Sequence, residues 1–411
     1  MSERIADPPI RADFLPAWMP PRRVGQLGIA LGAFAAWVAY PPVEVRNVVP
    51  TMIVAAAALG CGAFAISRGE RRVGWGAIAA AVCGAVLGYL ATLSGTTHLE
   101  GVFVWSTMLA TTLRFATPLA FGAIGGMFAE RSGVVNIALE GMMLSGAFFG
   151  ILAADKTNSW ILGLVFAVIA GGAFASVHAF FAIHLRADQI VGGTAINFLA
   201  LGLTGYLFID IYGDQGTPAD ISSIPDVKVH WIRHIPPATI GHFLDNAIGQ
   251  VNLMIWLMFV VLILSYIVMF RTPLGLRIRA VGEHPRAADT VGIPVYRTRY
   301  GAVILSGMLA ALGGAYLSIG NVHSFNQNMT AGRGFIALAA LIFGRWRPAG
   351  AFGAALLFGF SSARAQRLQD YSQSAGTLFN ALPYVLTLIA VAGVIGRSIP
   401  PAAVGRPYKK Q

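Results

Sequence analysis

A dozen apolar runs punctuate this chain, at about 26–41, 48–66, 73–93, 104–128, 141–153, 160–184, 190–211, 252–270, 300–320, 335–344, 349–363 and 381–396. Most are roughly 16–22 residues long or more, enough for a helix to cross about 30 Å of hydrocarbon. Inside a bilayer every backbone donor and acceptor must be satisfied within the protein, which leaves helices as the spanning unit for runs of this length. Only 11% of the 411 residues are charged and 56% are hydrophobic, whereas soluble domains are about a quarter charged. A single soluble core stops growing near about 250–300 residues, and a large α/β enzyme would alternate strand and helix patterns, which these runs do not. The expectation is an all-α integral membrane protein, a polytopic helical bundle of about 10–12 membrane segments. The runs at 141–153 and 335–344 are too short for plain spans, which predicts discontinuous helices.

The net charge of +11 invites a nucleic-acid reading, but its distribution argues for topology instead. With the N-terminus in the cytoplasm, most of the 29 basic residues fall on that side: the N-terminal arginines, Arg68, Arg71, Arg72, Arg131, Arg186, six arginines within 271–299, Arg345, Arg347, and the tail from Arg397 to Lys410. This is the positive-inside pattern, and an even number of crossings returns the C-terminus to the cytoplasm. Arg114, inside an apolar run, is placed to snorkel towards an interface. The first residues are proline-rich and mixed in charge, without the apolar stretch that a cleavable signal peptide would show. Cys61 and Cys83 lie inside apolar runs and read as small packing residues, not a disulfide or metal pair.

Two hydrophilic segments stand out. Residues 212–251 are external by this topology and rich in Pro, Gly and His. Loops of this length are commonly functional or disordered. His230 and His234 are four apart, but the surrounding prolines leave little helix to align them, so they and His242 read as solvated loop residues. Residues 271–299 are cytoplasmic, and "HPRAADTVGI" within them predicts a short helix bounded by Pro285 and Gly292, with Arg286 and Asp289 spaced to pair on one face.

The chemistry of an enzyme is missing. There is no GxxxxGK[ST] phosphate loop, HExxH or GxSxG, and none of the four lysines follows a glycine. "GCGAFA" at 60–65 matches a dinucleotide fingerprint in letters only, because it lies within an apolar run with no strand before it. Gly122/Gly126 and Gly146/Gly150 are GxxxG pairs that let helix backbones approach. No catalytic or metal site is predicted. What remains are polar residues at membrane depth, which are costly and face a cavity or a partner. Asn136 and Glu140 are four apart, spaced to share a helix face. Asn197 follows in a later span. Asn321, Asn326, Gln327 and Asn328 precede a glycine-flanked run that begins at Gly332, Gly334 and Phe335. Paired Gly-interrupted helices of this kind are the sequence pointer to a transport site. Phe148, Phe149 and Phe335 lie near these motifs and read mainly as packing, with base stacking the alternative.

Four of these stretches, in this order, carry a resemblance: "ERSGVVNIALEGMMLSGAFFG", "ADQIVGGTAINFLALGL", "GLRIRAVGEHPRAADTVGI" and "GRGFIALAALIFGRWRPAGAFGAALLFG". Together they resemble the permease subunits of bacterial ABC importers, in the nucleoside and simple-sugar branch related to the ribose and branched-chain amino-acid permeases. The similarity spans residues 104–397, leaving 1–100 as an added segment with about three extra spans and 398–411 as a basic tail. It implies a transport subunit of the bacterial plasma membrane without its own ATPase site or cofactor. ATP and Mg²⁺ would sit on cytoplasmic ABC ATPase partners. A second permease chain, the same or different, and an external substrate-binding protein would complete the assembly, surrounded by lipid and involving no nucleic acid. By position it implies ATPase coupling through Gly282, Glu283, Arg286, Asp289 and Gly292. The substrate pathway would be bordered by Asn136, Glu140, Asn197, Gly332, Gly334 and Phe335. Gln189 stands where many relatives carry an acidic residue, so no role is carried over to it. The alternative is an ion-coupled secondary transporter of a small polar solute, which would use similar broken helices but would not need the 282–292 segment to bind a partner.

Overall fold

A computed structural model describes residues 20–38, 48–93, 105–218, 220–229, 234, 238–369 and 399–410. The apolar run at 381–396 lies outside the described residues, as does His230. The chain divides into two compact units, residues 1–104 and 105–411. Seven described helices are long and apolar enough to cross a membrane. The protein is therefore a polytopic, all-helical membrane protein.

In the first unit α1 (Pro21–Val38), α2 (Val48–Ser67) and α3 (Arg71–Leu93) pack on one another through small residues. Gly28 lies against Ala77 and Cys61, for example. "GCGAFA" falls entirely within α2.

The second unit contains α4 (Trp105–Arg131), α5 (Leu139–Thr157), α6 (Trp160–Ala179, prolonged by a π turn to His184) and α7 (Gln189–Tyr212). After an irregular segment follow α8 (Ala238–Leu244), α9 (Leu253–Arg271), α10 (Pro273–Glu283), α11 (Pro285–Thr290) and α12 (Val295–Ala315, prolonged by a π turn to Val322). The described helices close with α13 (Arg333–Phe343) and α14 (Pro348–Gln369). The short apolar runs resolve differently. The one at 141–153 belongs to the 19-residue α5. The one at 335–344 is the 11-residue α13, too short to span.

Burial sorts these helices. In the membrane-length windows of α4 and α12, 78% of residues are buried, against 17% in α7. So α4 and α12 form the centre, while α6, α7 and α9 turn large apolar side chains such as Val165, Phe198 and Ile263 outward, as lipid-facing helices do. Close approach at the centre needs glycine: a Cβ on Gly314 would strike the Met143 carbonyl, and one on Gly146 would strike Ala311. The pair Gly122/Gly126 presses α4 against Ala337, Met143 and Leu139.

The polar segment between α7 and α9 contains a small antiparallel ladder, β1 (Asp226–Lys228) with β2 (Gln250–Asn252), so part of it is ordered into strands. Asn252 fixes its end. Its amide donates to the carbonyls of Ile224 (2.9 Å) and Gly320 (3.2 Å), and its oxygen accepts from Met254 at the start of α9 (3.0 Å).

Candidate functional site

The site is built from two breaks in membrane helices. At the first, α4 ends at Arg131, and Gly133 takes a φ of +94°, which only glycine adopts without strain. Residues 134–136 leave helical geometry, and α5 starts only at Leu139. Ser132, Gly133, Val134 and Asn136 are buried, so backbone groups released here need partners within the protein. Neighbouring helices supply them. Val135 N donates to Gln189 Oε1 (2.7 Å), and the Val135 carbonyl meets His178 Nε2 (2.9 Å). Asn197 spans the start of α5, donating from Nδ2 to the Ile137 carbonyl (3.0 Å) and accepting at Oδ1 from Gly141 N (2.8 Å). Arg299 Nε donates to the Ser132 carbonyl (3.2 Å).

Asn136 is fully buried in this break. Its amide donates to Ser306 Oγ of α12 (2.9 Å), while its Oδ1 has no hydrogen-bond partner among the described residues. Asn136 therefore precedes the helix and does not share a helical face with Glu140, contrary to the spacing argument. The reason is physical: Val135 is drawn out of helical geometry by its bonds to Gln189 and His178, which delays the helix start.

At the second break the π turn ending α12 reaches Val322, and the chain returns through His323, Asn328, Ala331 and Gly332, all with positive φ. Then α13 begins at Arg333. Glu140 holds this turn. Its Oε1 accepts from Thr330 Oγ1 (2.6 Å) and Gly332 N (2.8 Å), and its Oε2 accepts from Gly334 N (2.5 Å). The carboxylate thus takes the unpaired amides at the N-terminus of α13, where the helix dipole also favours negative charge. A Cβ on Gly334 would lie 2.5 Å from the Glu140 backbone, so the approach requires glycine. One side chain joins the two breaks. Phe335 is exposed, as are Asn321, Asn326, Gln327 and Asn328. Phe148 is buried in edge contact with Phe149 and Phe325.

Below the first break, Trp346 Nε1 donates to Glu130 Oε2 (2.5 Å), and Arg131 Nε donates to the Trp346 carbonyl (3.0 Å). The α10–α11 segment abuts the same place. Thr272 caps α10, with Pro273 at its first position, and His284 Nδ1 caps α11 by accepting from Ala287 N (3.2 Å). Gly282 is buried at the end of α10 and lies against the Arg131 carbonyl and Gly133 N. Arg286 and Gly292 are exposed, the latter with φ of +83°. Asp289 does not pair with Arg286. It accepts from Tyr408 of the C-terminal tail (2.7 Å), and Glu283 Oε2 accepts from Ala402 N (3.2 Å). Burial and the Asp289 carboxylate push the Tyr408 phenol up to about 12.

Spacing alone missed Gln189, His178, Thr330, Ser306, Arg299 and Tyr408. Gln189 lies inside one of the quoted motifs, as the first residue of α7, and Thr330 just precedes another.

Replacing Asn197 with leucine strands the Ile137 carbonyl and the Gly141 amide. The expected cost is about 2–4 kcal/mol, at about 1–3 kcal/mol for each unsatisfied buried group with some relief from repacking. A lowered thermal midpoint of the detergent-purified protein checks this, and an unchanged midpoint excludes a bracing role.

A family model described as branched-chain amino acid transport system / permease component matches residues 108–391. The guanosine ABC transporter permease protein NupQ of Bacillus subtilis is 41% identical over 76% of this chain and 99% of its own length. The nucleoside ABC transporter permease protein NupC of Lactococcus lactis subsp. cremoris is 39% identical over 74% of this chain and 96% of its own. A putative glucose ABC transporter permease protein, TsgC13 of Haloferax volcanii, is 34% identical over 64% of this chain and 78% of its own. No solved structure matches.

Proposed function

This chain belongs to the branched-chain amino acid transport system / permease component family, and from that premise we propose that it forms the translocation pathway of an ATP-driven importer for nucleosides. The observation that carries the substrate class is the 41% identity to a guanosine permease across 99% of that protein's length. The assembly would be completed by cytoplasmic ABC ATPases carrying ATP and Mg²⁺, a second permease chain and an external substrate-binding protein. It would lie in the bacterial plasma membrane with both termini cytoplasmic, which places the Arg131–Trp346 end of the bundle and the α10–α11 segment on the ATPase side.

The geometry supports this reading mechanically. Gly282 at the end of α10 touches the turn at Arg131–Gly133, so a displacement of α10–α11 by an ATPase bears directly on the first break. Glu140 passes it to the second through Thr330, Gly332 and Gly334. Asn197 steadies the start of α5 as it moves. Asn136 supplies the polar contact: its free Oδ1 is matched to a sugar hydroxyl or base N–H once the pathway opens. Phe335, exposed beside the second break, borders the same path. The ion-coupled alternative gives Gly282 no reason to lie under the break.

The test uses a strain deficient in nucleoside uptake that expresses this chain with its partners. Accumulation of tritiated guanosine is expected to require the ATPase, to survive a protonophore when ATP is maintained, and to be unaffected by excess glucose. Accumulation that persists without the ATPase and collapses with the proton gradient would overturn the importer reading. Competition by glucose would move the substrate class to sugars.

A further inference from the structure

The C-terminal tail is short, basic and proline-rich, the composition of a solvated end. It is instead seated in the molecule. Two tight turns shape it, with Val404 N donating to the Pro401 carbonyl (3.1 Å) and Arg406 N to the Ala403 carbonyl (3.2 Å). Gly405 adopts a φ of +75°. Three parts of the bundle hold it. The first is the break after α4: Gly405 N donates to the Gly133 carbonyl (3.2 Å). The second is the α10–α11 segment, where Ala403 N donates to the Gly282 carbonyl (2.9 Å), Ala402 N to Glu283 and Tyr408 Oη to Asp289. The third is the first turns of α12. Arg299 Nη1 donates to the Arg406 carbonyl (3.2 Å) while its Nε holds the Ser132 carbonyl, and Tyr296 Oη donates to the Tyr408 carbonyl (3.3 Å).

The tail is also packed. Tyr408 is 6% exposed and forms one apolar cluster with Val281 of α10, Ala288 of α11 and Val295 of α12. Arg299 is 1% exposed, and a Cβ on Gly133 would come within 2.8 Å of its guanidinium. Both acidic groups that the resemblance reserves for an ATPase, Glu283 and Asp289, are thus engaged by the chain's own tail.

We infer that residues 402–408, locked in place by Arg299, form the strut that transmits displacement of the α10–α11 segment to the break at Ser132–Gly133. Arg299 and Tyr408 are its positioning residues. Both ends of the strut bond the α10–α11 segment, through Ala402, Ala403 and Tyr408, and its middle reaches the break, directly through Gly405 and by way of Arg299 at Arg406. A push on α10–α11 therefore reaches the break along a second, polar path beside the contact of Gly282 with Arg131. This deepens the importer reading and rests on it.

The experiment uses the whole complex, with ATPase, second permease and binding protein, in proteoliposomes. It reads tritiated guanosine taken up per ATP hydrolysed, alongside basal ATP hydrolysis and co-purification of the ATPase. Deletion of 402–411 and Tyr408→Ala are each expected to lower uptake per ATP about tenfold or more, in the range of an ordinary coupling free energy. Basal hydrolysis and assembly stay at the parent level. Tyr408→Phe keeps the packing and loses one hydrogen bond, so it recovers most of the ratio. If the deletion does not accumulate, Tyr408→Ala and Arg299→Lys carry the test. Variants that assemble less but transport the parent amount per ATP in each complex overturn the strut. Failure of the importer reading shows separately, in an unaltered complex that hydrolyses ATP without guanosine uptake, and takes this inference with it.

Discussion

Glu140→Ala is expected to abolish guanosine uptake and to destabilise the protein by about 3–5 kcal/mol, because three donors lose their shared acceptor at about 1–3 kcal/mol each with some relief from repacking. Three donors converge on this side chain, and two of them are backbone amides at the start of α13 that cannot turn elsewhere. Each buried group left unpaired costs about 1–3 kcal/mol, in a fold whose whole stability is on the order of 5–15 kcal/mol. The loss is directional as well as energetic. Without the carboxylate, α13 loses its attachment to α5, and the turn at 328–332, with three non-helical positive φ angles, loses the contact that holds it. Glu140→Gln retains one carbonyl oxygen and presents an NH₂ group to a donor, so it should lie between alanine and the parent. Thermal midpoints in detergent, measured beside uptake in vesicles, check the series. A Glu140→Ala protein with the parent's midpoint and the parent's uptake would exclude the brace.

Much of this architecture is legible because it follows from local rules. The spans come from run length, the short α13 from its flanking glycines, and α11 from Pro285 and Gly292. Readings failed where a distant partner decides the local outcome. Nothing within residues 130–143 says that Val135 leaves the helix, because the groups that draw it out, Gln189 and His178, lie on α7 and α6. Arg299 counts as one more positive charge in a loop until α12 is seen to begin at Val295, which buries it. The three-residue strands between α7 and α9 are too short to show an alternating pattern. The tail has no apolar periodicity, and it is placed by backbone donors that any sequence possesses. Composition is silent about such contacts, and here they form the joint between the two regions of most functional interest.

The second large effect is expected at Gly282, and a comparison with Gly292 isolates its cause. Both are glycines of the proposed coupling segment, but they are glycine for different reasons. Gly292 has a φ of +83° and open space around the position of a Cβ. Alanine there costs about 1–2 kcal/mol of left-handed backbone strain and displaces nothing. Gly282 has no such φ. A Cβ at Gly282 would run into the Arg131 carbonyl, with its carbon 2.8 Å away. The obstruction is backbone, which cannot swing aside like a side chain, and overpacking of this kind typically costs about 1–3 kcal/mol or more. Relief requires α10 to back away from the break. That movement also pulls on the Gly282 carbonyl that accepts from Ala403 N, so the direct contact and the strut are disturbed together. Gly282→Ala should therefore lower guanosine uptake per ATP by about tenfold to a hundredfold, as the loss of a coupling of about 1–3 kcal/mol implies. Gly292→Ala should lower the thermal midpoint while leaving that ratio unchanged. Should Gly292→Ala uncouple the complex and Gly282→Ala leave it coupled, force would have to enter through the exposed end of α11, and the contact beneath Arg131 would be packing alone.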